Sequence, residues 1–169
     1  CQHPEGQTAV KMYLDWMPNV VGDLHEQGGD SKGFYFSPGH PHRTHPLTPQ
    51  QNQQLTSAIT NSTAYALDDI GTLYYSKEGY DDFYVGKGAA YPDMQGSIGI
   101  LYEQVASRGY IRPTSTGLMP FYQTVRNQAY AAISTVYASY LMKNELLDYQ
   151  RNFFQNSAKQ AAKDAVKGY

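Results

Sequence analysis

The stretch SIGILYEQVA, residues 97–106, restricts the folds open to this chain more than any other segment. Ile98, Ile100 and Tyr102 alternate with Gly99, Leu101 and Glu103. A half-buried strand keeps its polar residues on one side, whereas here both sides are largely apolar. Such a strand needs cover on both faces, as in a parallel or mixed sheet between helices. The expectation is an α/β fold.

Glu103 interrupts the apolar run near its end, just before the turn residues SRG. A carboxylate there costs desolvation energy unless it is paired or sits at a wet cleft. A sheet rim near a turn is also where α/β proteins place catalytic groups. Two readings stand: a base tuned toward neutrality, or a structural partner of Arg108 or Arg126.

A second apolar stretch, NVVGDLHE at 19–26, reads as a short strand built on Val20, Val21 and Leu24. It ends at the glycines of QGGD. His25 follows the apolar residues and would point out of a sheet rim. Neutral imidazole is a good zinc ligand, and Asp23 or a backbone carbonyl would orient its other nitrogen. Glu26 is adjacent to His25, so this is not the helical HExxH pattern. A histidine that merely precedes a turn is the plain alternative.

The remaining elements follow from spacing. Residues 6–17 read as a helix with Val10, Tyr13, Leu14 and Met17 on one side, stopped by Pro18. Four prolines and two glycines make 30–49 a loop, with no helix and no central strand. A helix follows over 49–67, capped by Thr48 with Pro49 at its first position. Leu55, Ile59 and Ala66 mark its inner side. GTLYYS, from 71, is a short strand, and the segment up to 95 is a surface loop of the kind that carries substrate contacts. From 119 to 167 only Pro120 breaks the absence of glycine and proline. That length is mostly helix, with an inner stripe of Val125, Ala129, Ala132, Val136 and Tyr140. About fifty residues is long for one globular helix, so a break is expected near Lys143–Glu145. The division expected is 1–142 as one domain part and 143–169 as a helical extension or the start of a following region.

Composition excludes some functions. The net charge is −2, from 13 basic and 15 acidic residues, with no basic stripe. A nucleic-acid backbone needs clustered Lys and Arg. No apolar run approaches a membrane span. Cys1 is the single cysteine and cannot form an internal disulfide. The 16 tyrosines supply amphipathic surface for a cleft or for half-buried packing. GHPHRTHP brings His40, His42 and His45 together, but stiffening prolines and the lack of a nearby cysteine or carboxylate favour a solvated loop. Neither a phosphate-binding P-loop nor a GxSxG elbow is present.

In order along the chain, WMPNVVGDLHEQGGD, FYFSPGHPHRTHP and GKGAAYPDMQGSIGILYEQVASRG, with the long helix after them, resemble the zinc carboxypeptidases (carboxypeptidase A-like metallopeptidases) over residues 5–140. The resemblance implies a three-layer α/β/α sandwich around a mixed, twisted sheet. It implies hydrolysis of peptide or related amide bonds, mostly at the carboxyl end of the substrate. His25 resembles the later zinc histidine of that family and Glu103 its general base. The substrate-closing tyrosine would be Tyr80, Tyr84 or Tyr91, with Tyr84 favoured. Arg108 would hold substrate or pair with Glu103. The family's HxxE motif, which supplies the other two zinc ligands, does not occur in these 169 residues. The chain is therefore expected to be the C-terminal part of a catalytic domain. Its partners would be a peptide or amide substrate and the missing N-terminal part of the domain. Zinc is expected in the intact protein, with no tight zinc binding or peptide hydrolysis by the isolated chain. The rival expectation is a non-catalytic binding or structural subdomain on the same scaffold.

Overall fold

The computed structural model describes residues 2–28 and 33–166. In chain order the elements are α1 (Pro4–Trp16), β1 (Val20–Gln27), β2 (Phe34–Phe36), a short 3-10 turn (Pro41–Arg43) and α2 (Gln50–Asp69). Then come β3 (Tyr74–Tyr75), α3 (Ala90–Asp93), β4 (Ile98–Val105), β5 (Ile111–Thr114), β6 (Gly117–Pro120), α4 (Phe121–Leu141) and α5 (Lys143–Lys163).

β1, β4, β2 and β3 lie side by side in that order, while β5 and β6 form a separate hairpin. β4 runs parallel to β1, with Val20 opposite Ile98 and Gln27 opposite Val105. It runs antiparallel to β2, which is parallel to β3. The sheet is therefore mixed, and β4 is covered on both faces as its composition requires. On one face Ile98, Ile100 and Tyr102 pack with Leu55, Ile59 and Leu67 of α2, Ala131 and Ala138 of α4, and Leu146 and Tyr149 of α5. On the other, Leu101 packs with Tyr35 and Ala89, flanked by Tyr75 and Tyr80. α3 lies on this second face. A Cβ added at Gly99 would fall 1.7 Å from the Ala89 carbonyl oxygen, so only hydrogen fits there. α1 reaches the same layer through Tyr13, whose ring meets Tyr91 edge-on at 5.4 Å. The result is a three-layer α/β/α arrangement around a twisted mixed sheet.

Several expectations need correction. The loop expected over 30–49 contains β2, an internal strand. Three residues are too few for periodicity to register, yet Phe34, Tyr35 and Phe36 are all buried. Pro49 is itself the N-cap of α2, so Thr48 lies one position further out. Leu67, not Ala66, completes the buried side of that helix. In α1 only Tyr13 is buried, because the helix touches the body along a narrow line. It ends with Met17 in the left-handed region, just ahead of Pro18.

The inner stripe of α4 also differs. Val125, Val136 and Tyr140 are exposed, and the buried positions are Thr124, Asn127, Ala131, Ser134, Thr135 and Ala138. The period is helical, but the inward face is small and polar. Its hydroxyls satisfy themselves within the helix, as when Thr135 donates to the Ala131 carbonyl, and bridge outward to Tyr102 and Thr63. That lets α4 pack closely without stranded polar groups. The helical break falls at Met142, between α4 and α5. The turn expected at Gly29 and Asp30 lies outside the described residues, as does the expected helical end at Lys167.

Candidate functional site

His25 and Glu103 are register partners on β1 and β4. Paired residues on adjacent strands project from the same face of a sheet, so these two share one face. They also lie toward the carboxyl ends of their strands, the end at which open α/β sheets gather ligands. Asp23, two residues before His25, shares that face opposite Leu101.

The imidazole is oriented by its neighbour. His25 Nε2 lies 2.7 Å from Asp23 Oδ1. A carboxylate only accepts, so Nε2 is the donor in this contact, and in the neutral tautomer that it selects Nδ1 carries the lone pair. The His25 side chain is 53% exposed and that of Asp23 26%, so the imidazole stands at the surface of the site. The His25 carbonyl accepts from Gln128 Nε2 at 2.8 Å, which ties the strand end to α4.

Glu103 is half-buried, and its Oε2 is a buried oxygen without a hydrogen-bond partner. Burial raises its pKa, His25 opposes the rise, and Asp23 adds to it. The carboxylate is thus biased toward holding a proton.

A ring of amphipathic side chains supports this strand end. Gln27 Nε2 donates to the Glu103 carbonyl at 2.9 Å and to the Gly33 carbonyl at 2.6 Å. Its Oε1 accepts from Tyr75 at 2.8 Å and Tyr80 at 3.2 Å. The Tyr80 ring stacks on Tyr35 at 4.2 Å, and burial followed by the Glu103 charge raises its pKa. Neither Gln27 nor Tyr75 stood out in the sequence. Gln27 ends an ordinary strand, and only knowledge of the sheet order shows what it touches.

The remaining expected residues are placed differently. Arg126 lies on the far side of β4, bonded to Thr72 and Asn127. Arg108 is exposed, with φ 46, and its guanidinium lies beside Gly28. The described ion pairs include none between Glu103 and either arginine. Tyr84 is 66% exposed. It belongs to a loop braced by the Lys87–Asp81 ion pair at 2.9 Å. That loop ends against the site, since a Cβ at Gly88 would come 2.5 Å from Asp23 Oδ2. His40, His42 and His45 serve their own loop: His40 Nδ1 accepts from the His42 amide and His45 Nδ1 from the Leu47 amide.

His25 by itself does not make a zinc site. A catalytic zinc takes three protein ligands and an open position, and among the described residues no group of three His, Cys, Asp or Glu could hold a metal ion.

A groove of about 640 Å³ opens on the other face, between β1 and α4, lined by Leu24, Tyr102, Val136, Tyr140 and Leu147 among others. It lacks His25 and Glu103, and its lining is largely apolar. Among the described residues no helix is long and apolar enough to cross a membrane.

The fold is a carboxypeptidase-like one. A solved metallo-carboxypeptidase from Burkholderia cenocepacia superposes on 80% of this chain with a TM-score of 0.56 and 12% identity. The chain spans 34% of that structure's length. At such identity the likeness is one of fold. No protein-family model matches the chain, and no curated protein matches it in sequence.

Proposed function

We propose that this chain is the part of a carboxypeptidase-like domain that carries the general base and one zinc ligand, and that the intact protein hydrolyses peptide or related amide bonds. The observation that supports this is the register pairing of His25 with Glu103 at the carboxyl ends of two parallel strands. In this reading His25 offers Nδ1 to the metal, held in place by Asp23 at Nε2. The other ligands come from polypeptide outside these residues. Zinc, when bound, polarises the scissile carbonyl and makes water more acidic. Glu103 takes the proton from water and passes it to the leaving amine. Its raised pKa suits that exchange. Tyr84, on the loop that ends beside Asp23, and Arg108, on the exposed turn after β4, would contact the substrate.

A second reading is favoured by a specific observation: the described residues lack a three-ligand metal group. In it, the chain is a non-catalytic carboxypeptidase-like subdomain that binds or supports other polypeptide.

Steady-state rate and zinc stoichiometry, measured together on the intact protein, separate the two. Glu103→Gln is expected to lower turnover about 100- to 10,000-fold while zinc stays bound. His25→Ala is expected to lower both. A fully active Glu103→Gln variant removes the base assignment. Loss of zinc in that variant makes Glu103 a ligand or a structural support. An intact protein with neither zinc nor turnover leaves the non-catalytic reading.

A further inference from the structure

Arg126 sits in the second turn of α4, beneath the face of β4 opposite Glu103. Its hydrogen bonds all go to neutral oxygens. Nε and Nη2 donate to Asn127 Oδ1 at 3.4 and 3.2 Å, and Nη2 donates to Thr72 Oγ1 at 3.2 Å. The described ion pairs do not include Arg126. Nη1 has no hydrogen-bond partner among the described residues, although a guanidinium carries five donors. A partly buried cation normally finds an anion, because desolvation is otherwise uncompensated.

The guanidinium opens on a cavity of about 320 Å³ between the 70–73 loop, the β5–β6 hairpin and the start of α4. Its lining contains no Asp or Glu. The wall behind Arg126 is rigid. Asn127 Nδ2 donates to Gln104 Oε1 at 2.9 Å, and Gln104 Nε2 donates to the Val105 carbonyl at 3.0 Å. Both amides are at most 2% exposed. This chain of bonds turns Asn127 Oδ1 toward Arg126 and fixes which edge of the guanidinium is left over. Two further neutral side chains line the same cavity: the Gln123 amide in the first turn of α4, and the Thr116 hydroxyl on the hairpin turn, which bonds Thr114 Oγ1 at 3.2 Å and would turn from it to donate to a ligand. α4 begins without a side-chain cap, so the positive end of the helix adds to the field there.

We infer that this cavity is a binding site for a small oxyanion, a carboxylate or a phosphate, held by Arg126 with Thr116 and Gln123 as neutral donors. With Nε and Nη2 committed to Asn127 and Thr72, Nη1 is the group left to donate to the anion, and a charge-assisted bond from a guanidinium is stronger than a neutral one. The site lies across the sheet from His25 and Glu103 and does not depend on any zinc reaction.

The test is a titration of the isotopically labelled chain, followed by NMR, with inorganic phosphate in one arm and acetate in another. Chloride holds the ionic strength constant. Saturable shifts are expected at the Arg126 Nε–H and at the amides of Thr72, Thr116 and Gln123. A stronger response to phosphate assigns the site to phosphoryl groups, and a stronger one to acetate assigns it to carboxylates. Arg126→Gln is expected to weaken binding at least about ten-fold. Thr116→Val, on an exposed turn, is expected to weaken it about three-fold with the remaining spectrum unchanged. It provides the test if Arg126→Gln fails to fold. Shifts that rise linearly without saturating overturn the proposal, as does chloride giving the same response. So does binding that is unchanged in a folded Arg126→Gln variant or in Thr116→Val.

Discussion

β1 and β4 lie side by side in parallel register, and they carry similar sequences, LHEQ in one and LYEQ in the other. Their environments differ sharply. β4 is buried along nearly its whole length, whereas β1 is the edge of the sheet, with Leu24 48% exposed. The shared Glu-Gln pair is also offset by one place, so Glu26 stands opposite Gln104 and Glu103 opposite His25. A one-residue offset sends a side chain to the other face of a sheet. Glu103 therefore joins the face that holds His25, while Glu26 does not. Position in the sheet, not local sequence, decides which carboxylate can take part in a site.

Three measurements can break or sharpen this contrast. The largest effect is expected from adding a single methyl group to each strand. Gly99→Ala on β4 drives a Cβ into the Ala89 carbonyl at 1.7 Å, and the backbone cannot yield as a side chain would. A loss above about 3 kcal/mol, or failure to fold, is expected. Gly22→Ala on β1 meets only the Tyr102 ring at 3.6 Å and should change stability by less than about 0.5 kcal/mol. Urea unfolding of the pair decides it, and equal losses would remove the distinction between strands.

The next effect concerns how β4 is anchored. Asp93 is 2% exposed and accepts from the Gly99 amide at 2.9 Å and Asn52 Nδ2 at 2.8 Å. Burial pushes its carboxyl up to about 7, against the lowering effect of those bonds. The folded chain then holds this proton more tightly than the unfolded chain does. The contribution is full below the ordinary value of 3.8 and is lost as pH rises to about 7. Asp82 and Glu103, also raised, act in the same direction. Asp93→Asn keeps an acceptor oxygen and removes the charge. It is expected to raise stability at pH 8 by about 2–4 kcal/mol and to change little at pH 4. Unfolding curves at the two pH values provide the check, and a parallel offset at both would mean that Asp93 acts through packing alone.

The smallest effect compares two register partners. Tyr102→Phe removes a buried hydroxyl bonded to Thr135 and Thr63, and should cost about 1–2 kcal/mol. Leu24→Ala, half-exposed on the edge, should cost less than about 1 kcal/mol. Thermal melts of both variants test the ranking, and a greater loss at Leu24 would mean that β1 is covered in solution.

How much of this could be read in the sequence depended on length and on partners. α2, the α4–α5 pair, β1 and β4 were legible because each is long enough to show a period. β2 and the β5–β6 hairpin were not, since three or four residues carry no period and owe their form to neighbours, whereas β3 falls inside the short strand expected in GTLYYS. In α4 the period was right and the phase wrong. The apolar stripe points to Val125, Val136 and Tyr140 as the inward face, while the actual contact uses Ala131, Ala138 and self-satisfied hydroxyls such as Thr135. For the site, His25 and Glu103 were noticeable as polar residues ending apolar runs. Their adjacency was not legible, because it depends on which strands pair. The support from Gln27, Tyr75 and Tyr80 was hidden for the same reason.

The long separation between β1 and its strand partner among the described residues also affects how the protein is made. Val20 pairs with Ile98, so β1 cannot pair with β4 until about 78 more residues have been synthesised. At ordinary translation speeds that is a wait of roughly 4–16 s. Throughout it, the side of the strand Val20–Gln27 that pairs with β4 has no backbone partner among the described residues. Ribosome-associated chaperones would meet the segment in that interval, and slowing translation between the codons for β1 and β4 would lengthen its exposure.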